Sequence, residues 1–450
     1  MEAKEYRGLW WLPSNKERKV AGVLAYTPGE EFRLELIGSF NAEYDGTILA
    51  PLKAKTMEPV IHGQASDGSN ITLFDSTCGV SHKECAEFST SVYKAKAIVV
   101  GTHLNNRDEK RFFKASVRIP ELSYWLYPAM VEQIYQDTKN GHGIIVKMRD
   151  IEDGERMVGK VNVSKQMSIC LCRDASYHSG DLSFNPSFEQ FTSLQIETSE
   201  DMSLMDYYEA VVRYEQFLSF ATFREVGFSE LRLFSRDNYY ETIGGKHYNK
   251  PIIFDIRNRT KPNPKKIAKH EFIFEYNQIK DHYSQAVKRW FSKDMKFHAI
   301  RSHFMDSIDY HGPFSYINFL VVIQAIEGYG RRYMTAEIKK FKEGLPKDRK
   351  RRPLFEMLSA IFKSYADVNR IDHNVDIDAI TQTRNYHSHL FAQRGDKAVD
   401  GVELYKLTNE LRKLLMCCIM SYMNFSNRDI DRLFNNSDNS LFSNCKRDAE

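Results

Sequence analysis

The residues best equipped for chemistry stand together late in the chain, in Thr383-Arg384-Asn385-Tyr386-His387-Ser388-His389. Arginine is a permanent cation whose planar fork of donors fits phosphate oxygens. Histidine gives and takes protons near neutral pH. Arg384, Asn385, His387 and His389 together are a minimal set for cleaving a phosphodiester without a metal. RNA carries its own nucleophile, the 2′-hydroxyl. The protein must then supply a base for that proton, an acid for the 5′-oxygen leaving group, and positive charge for the phosphorane-like transition state.

Spacing constrains how these groups meet. Arg384 and His389 are five residues apart, which on a helix is about 140° of rotation and about 7.5 Å of rise. They do not share a face. Arg384 and His387, three apart, are better placed for that. Both members of the longer pair reach one phosphate if Arg384 curls around the helix, if the helix is distorted, or if a second copy supplies part of the site across a two-fold axis. The competing reading is a surface helix with a salt bridge and two solvated histidines.

Composition narrows the setting. The 450 residues suffice for two or three domains with separate cores. Hydrophobic residues make up 42% and charged residues 27%, as in an ordinary soluble protein. The 29 Phe and 24 Tyr suit β-rich packing. A net charge of +3 neither demands nor excludes nucleic acid, so electrostatic arguments must be local. Seven cysteines, an odd number, argue against a disulfide framework. The start lacks the apolar core of a signal peptide, and Ile317 to Ile326 is too short to span a membrane. A reducing cytoplasm and no membrane association are expected.

Other clusters carry less. Cys78, His82, Cys85, Cys170 and Cys172 do not have common zinc spacings, and strand alternation puts the last two on one face as packing. Asp306, Asp309, Asp372, Asp376 and Asp378 lack a magnesium pattern. No metal or other cofactor is expected. The basic runs Lys347 to Arg352 and Lys261 to Lys269 read as solvated loops. Trp10, Trp11 and Trp125 read as buried anchors.

The elements that must position the site divide the chain into an α+β, multidomain protein. In its first part Phe32, Leu34 and Leu36 alternate with Arg33 and Glu35, and Thr27-Pro28-Gly29-Glu30 is turn chemistry. The pattern predicts a hairpin of Val20 to Tyr26 with Phe32 to Ile37. Further strands are expected at Asn70 to Asp75, Val92 to Val100, Phe112 to Ile119, Gly143 to Met148, Met157 to Val163, Met167 to Cys172 and Thr192 to Glu197. Others are expected at Leu231 to Ser235, Pro251 to Asp255 and Glu271 to Tyr276. This is a β-rich, sandwich-like domain over residues 1–280, or a bent antiparallel sheet, interrupted by an amphipathic helix over 203–223. Helical periodicity then covers 281–435, with helices at His282 to Ser292, Phe297 to Ser307, Phe314 to Met334, Pro353 to Asp367, Ile377 to Leu390 and Gly401 to Met423. Residues 436–450 read as a flexible tail.

Arg384-Asn385, three residues, then His389 matches the R-N-x3-H form of the R-x4-6-H motif of HEPN ribonucleases. Gln324-Ala325-Ile326-Glu327 sits as a Q-A-x-E patch does in the first core HEPN helix. In the front part, Gly8-Leu9-Trp10-Trp11-Leu12-Pro13 with Gly22-Val23-Leu24, the stretch Phe32 to Phe40, and Ile71-Thr72-Leu73-Phe74-Asp75 resemble the ApeA family of bacterial anti-phage proteins. The resemblance spans nearly the whole chain. It implies an abortive-infection effector whose C-terminal all-α HEPN bundle cleaves RNA to 2′,3′-cyclic phosphate and 5′-hydroxyl ends, with transfer RNA as a substrate. It also implies a homodimer through the HEPN domain and a β-rich front that senses a phage-derived trigger.

In these terms His389 is the expected proton-transfer residue, and His387 an alternative for that role. Arg384 holds the phosphate, Asn385 orients it or a histidine ring, and Glu327 pairs with Arg384 or orients His389. Two other readings remain at this point. One is a non-catalytic HEPN protein that binds nucleotide or RNA, or only dimerises, with a ligand-sensing β domain. The other is a carbohydrate- or peptide-binding sandwich with a helical oligomerisation tail.

Overall fold

The computed structural model describes residues 3–40, 57–78, 90–126, 131–138, 141–148, 156–178, 187–242, 244–262, 271–309, 315–346, 352–389 and 398–436. His82, Cys85, Pro313, residues 347–351 of the basic run, most of the 261–269 loop and nearly all of the 436–450 tail lie outside them. The chain forms two compact units. The first comprises residues 1–123, 129–215 and 226–264; the second comprises 124–128, 216–225 and 265–450.

The first unit is built on β1 (Lys4–Leu12), β2 (Asn15–Thr27), β3 (Glu31–Ile37), β4 (Met57–Ala65), β5 (Asn70–Cys78) and β6 (Thr90–Lys94). These run in the order β5-β4-β1-β2-β3-β6, and β6 pairs back onto β5 through Thr77–Lys94 and Cys78–Tyr93. The bent antiparallel sheet thus closes into a barrel, which leaves no free edge around its circumference. Inward positions alternate as expected: Phe32, Leu34 and Leu36 of β3 are buried, and Arg33 and Glu35 are not. They meet Trp10, Leu24, Ile61, Ile71 and Leu73 in one core.

The patches Gly8 to Leu12 and Gly22 to Leu24 owe their composition to this closure. Trp10 is fully buried and donates its indole N–H to the Gly22 carbonyl at 3.2 Å. A Cβ on Gly63 would lie 2.2 Å from the Trp10 ring, and one on Gly8 would lie 2.1 Å from the Gln64 carbonyl oxygen. Only glycine permits that approach. The β2–β3 turn forms over Thr27–Glu30, with Gly29 at φ +66° and the Glu30 N–H bonded to the Thr27 carbonyl at 3.0 Å.

From β5 the sheet continues through β7 (Ala97–Val100), β17 (Ile252–Ile256), β14 (Glu230–Ser235), β8 (Phe112–Arg118), β13 (Ser187–Met202), β12 (Met167–His178) and β11 (Met157–Asn162). All its pairings are antiparallel. The expected strand Val92 to Val100 is two strands, β6 and β7, which pair with opposite ends of β5. Separate ribbons form from β9 (Val131–Thr138) with β10 (Gly141–Met148), and from β15 (Tyr239–Glu241) with β16 (His247–Asn249). Helix α1 (Pro120–Trp125) and the long helix α2 (Leu204–Thr222) each give residues to both units. Cys170 and Cys172 are buried neighbours on β12, and no metal-binding cluster occurs among the described residues.

The second unit is helical: α3 (Tyr276–Trp290), α4 (Met295–Asp309), α5 (Tyr316–Tyr333), α6 (Thr335–Glu343), α7 (Pro353–Ser364), α8 (Ile377–His389), α9 (Gly401–Tyr422) and α10 (Asn427–Asn436). Helix α5 is central and packs against α4, α7, α8 and α9. Helix α9 is buried around most of its circumference from Leu411 to Met420, the mark of a core helix. Buried Arg412 crosses from α9 to the end of α4, donating to the Ser307 carbonyl at 3.0 Å and to Asn409 Oδ1 at 2.8 Å.

Glu271 to Tyr276 is not a strand. Phe272, Ile273 and Phe274 are buried in an irregular approach to α3, with the Ile273 N–H bonded to the Ala221 carbonyl at 2.8 Å. A short apolar run is buried equally well in either conformation, so periodicity does not decide it. Trp125, Phe217 and Phe220 also belong to this unit's core: Trp125 lies 6.0 Å from Tyr283, and Phe220 lies 5.1 Å from Phe304, centroid to centroid. The helical unit therefore draws buried aromatic anchors from well upstream of residue 280. Among the described residues no helix is long and apolar enough to cross a membrane.

Candidate active site

Helix α8 carries the Arg-Asn-His segment. Asp376 opens it, its carboxylate accepting from the Ala379 N–H at 2.9 Å. Arg352, at the start of α7, bonds to Asp378 in the first turn. The buried stripe is Ile380, Thr381 and Thr383. Thr383 is fully buried, and its hydroxyl accepts from the Val399 N–H at 3.0 Å, which ties the chain after the helix back to it.

That stripe decides where each functional side chain goes. Arg384 follows Ile380 by four residues, and His387 follows Thr383 by four, so both lean toward the packed side. His389 lies two residues further on and is exposed, at the last position of the helix. The pair that shares a face is thus Arg384 with His387.

Arg384 reaches Glu327 of α5. Its Nε donates to Oε1 at 2.9 Å and its Nη2 to Oε2 at 3.3 Å, a bidentate fork. Glu327 is buried on a helix otherwise lined with Phe319, Ile323 and Ile326, so the carboxylate has little other solvation. Arg331, one turn along α5, donates to the same Oε2 at 3.2 Å. Two guanidiniums on one carboxylate leave one positive charge uncompensated. The Nη1 of Arg384 turns away from Glu327 and lies 3.4 Å from Asn385 Oδ1. Sequence reasoning missed Arg331, although its i,i+4 spacing from Glu327 was a readable signal.

His387 goes elsewhere. Its ring stacks on Tyr316, the first residue of α5, with centroids 4.3 Å apart and planes 24° apart. Tyr386 meets it edge-on at 5.0 Å. Its Nε2 is buried with no hydrogen-bond partner, and this desolvation pushes the imidazole pKa below its ordinary value. Arg384 and His387 thus reach opposite ways along α5, toward Glu327 and Tyr316. Those two are eleven residues apart, about 16 Å of helix axis. One chain brings Arg384, Asn385 and Glu327 together, sets His387 apart from them, and leaves His389 at the surface.

Chemically the site offers a guanidinium fixed on Glu327, an amide in contact with it, and an exposed histidine at the helix end. Two family models match the chain: ApeA N-terminal domain 1 over residues 5–290, and Apea-like HEPN over residues 320–429. No curated protein and no solved structure matches it. The second match contains Glu327 and the whole of α8. HEPN domains commonly bind RNA and dimerise, and they suggest ribonuclease activity in general. With both halves matched in the expected order, the chain belongs to the ApeA family, and this membership implies an anti-phage role of nuclease type.

Proposed function

We propose that the protein is a metal-independent endoribonuclease acting in abortive infection, with Arg384 and His389 as its catalytic pair. The observation that carries this reading is the Glu327–Arg384 fork on the same helix as an exposed His389. A guanidinium has five N–H donors. Glu327 occupies the inner edge, and the outer edge is left for two phosphate oxygens. As negative charge builds on the phosphorane, a donor array already fixed in place stabilises it without reorganising. Glu327 acts as a positioning residue, and Asn385 orients the phosphate.

Cleavage needs a base for the 2′-hydroxyl and an acid for the 5′-oxygen. Each chain exposes one imidazole of the motif, His389, since the His387 Nε2 is buried. Two copies paired across a two-fold axis would supply two, one for each proton. A homodimer through the helical domain is therefore part of the proposal, with products bearing 2′,3′-cyclic phosphate and 5′-hydroxyl ends. The β-rich part, which has no such constellation among its described residues, is assigned the sensing of a phage-derived trigger, and transfer RNA is the favoured substrate.

The test is growth of phage-challenged cells carrying wild type, Arg384→Ala or His389→Ala. Protection that needs both side chains supports the reading. Equal outcomes for all three would favour a non-catalytic RNA-binding or dimerising role.

A further inference from the structure

The Tyr316–His387 stack is not explained by the cleavage chemistry. Tyr316 opens α5 directly after its cap, Ser315, whose hydroxyl accepts from the Asn318 N–H at 3.3 Å. One side of the Tyr316 ring is taken by His387, yet half of the residue remains in solvent at 50% exposure. Ile317 beside it is 62% exposed. Tyr316 also lies just before the segment matched as HEPN, at 320–429.

We propose that Tyr316 stacks an RNA base that flanks the scissile phosphate a few nucleotides away. The deduction rests on the ribonuclease reading and adds a feature of the substrate: the flanking base must be unstacked, as in single-stranded RNA or a loop. An aromatic ring backed by a second ring is held flat, so little orientational freedom is lost when a base lands on it. The backing ring, His387, is uncharged at neutral pH and has its Nε2 sealed from water, which makes it a support and not a competitor for phosphate. Position agrees. Arg384 is one turn before His387 on the same side of α8, and both face α5, which carries Tyr316. Glu327, which holds Arg384, is eleven residues along α5 from Tyr316, about 16 Å of axis, so a strand whose phosphate sits at Arg384 and runs along α5 brings a base a few nucleotides away to Tyr316. The unbalanced charge at Arg384 and Arg331 favours a polyanion over an apolar peptide as the occupant.

The test uses the full chain carrying His389→Ala, so that RNA is bound without being cut. Fluorescently labelled single-stranded RNA oligonucleotides are titrated onto it by anisotropy, and again onto the same chain with Tyr316→Ala, Tyr316→Trp or Arg384→Ala. Tyr316→Ala is expected to weaken binding about 5- to 100-fold, the worth of one stacked base. Tyr316→Trp is expected to retain or tighten it. An RNA lacking one base at the stacked position should lose the same factor on the parent and nothing further on Tyr316→Ala. Unchanged affinity for Tyr316→Ala, or an abasic penalty equal in both proteins, overturns the proposal while Arg384→Ala still reports on the site. A parent chain that binds no RNA either alone or with lysate from phage-infected cells added overturns the ribonuclease reading, and the stacking role falls with it.

Discussion

Two carboxylate–guanidinium pairs, one in each unit, are built differently. In the β-rich unit Asp255 and Arg259 meet at 2.7 Å with side chains 0% and 5% exposed. Asp255 also accepts from the Gly29 N–H at 2.8 Å, the Tyr26 hydroxyl at 2.9 Å and the Ile256 N–H at 2.9 Å. Arg259 sends its remaining donors to the carbonyls of Phe228, Ser229 and Thr260. Every polar atom of that pair is used, and its product is a fixed β2–β3 turn. In the helical unit Glu327 and Arg384 are 9% and 22% exposed, a second arginine crowds the carboxylate, and the Arg384 Nη1 meets the adjacent Asn385 amide oxygen at 3.4 Å. A closed pair holds a fold together; a pair left open on one side is equipped to take a ligand.

The comparison can be broken by substitution. The largest effect should be on cleavage. Arg384→Ala and His389→Ala are each expected to lower the RNA-cleaving rate by about 10²- to 10⁴-fold; His389→Ala barely moves thermal unfolding, and Arg384→Ala, which leaves Glu327 with Arg331, costs less stability than loss of Asp255. Arg384→Lys should not rescue, because the fork is lost. Next comes Asp255→Ala. Stranding Arg259 should cost about 3–5 kcal/mol of stability, read by denaturant unfolding, with activity per folded molecule unchanged. If the losses were reversed between the two pairs, the distinction would be wrong.

Glu327→Gln should fall between. It retains the shape but removes the charge that balances two arginines, for about 1–3 kcal/mol of stability and a cleavage rate above that of Arg384→Ala. The smallest effect concerns His387. Burial lowers its folded pKa, so the folded state resists its protonation. Stability is then complete above the ordinary value of 6.5 and declines as pH falls below it. His387→Phe keeps a ring against Tyr316 and should flatten that decline in a pH series of melting curves.

Much of the candidate site could be read from the sequence because its residues are local. The α8 segment and Glu327 each announce themselves within one helix, and the alternation of Phe32, Leu34 and Leu36 fixes a strand face. Tyr316 was not legible, since only packing of α5 against α8 brings it to His387. Closure of the barrel depends on β5 pairing with β6, a choice made by distant edges and not by either strand's pattern. The gap between Arg384 and His387 is similar. Helical spacing puts them on one side, and the positions of Glu327 and Tyr316 on α5 then draw them apart.

The most direct measurement is sequencing of RNA 5′-hydroxyl ends in phage-challenged cells, wild type against His389→Ala. The account predicts discrete new ends with wild type, absent from the variant and absent without phage. The same ends appearing with His389→Ala, or none with a wild type that still protects, would contradict it.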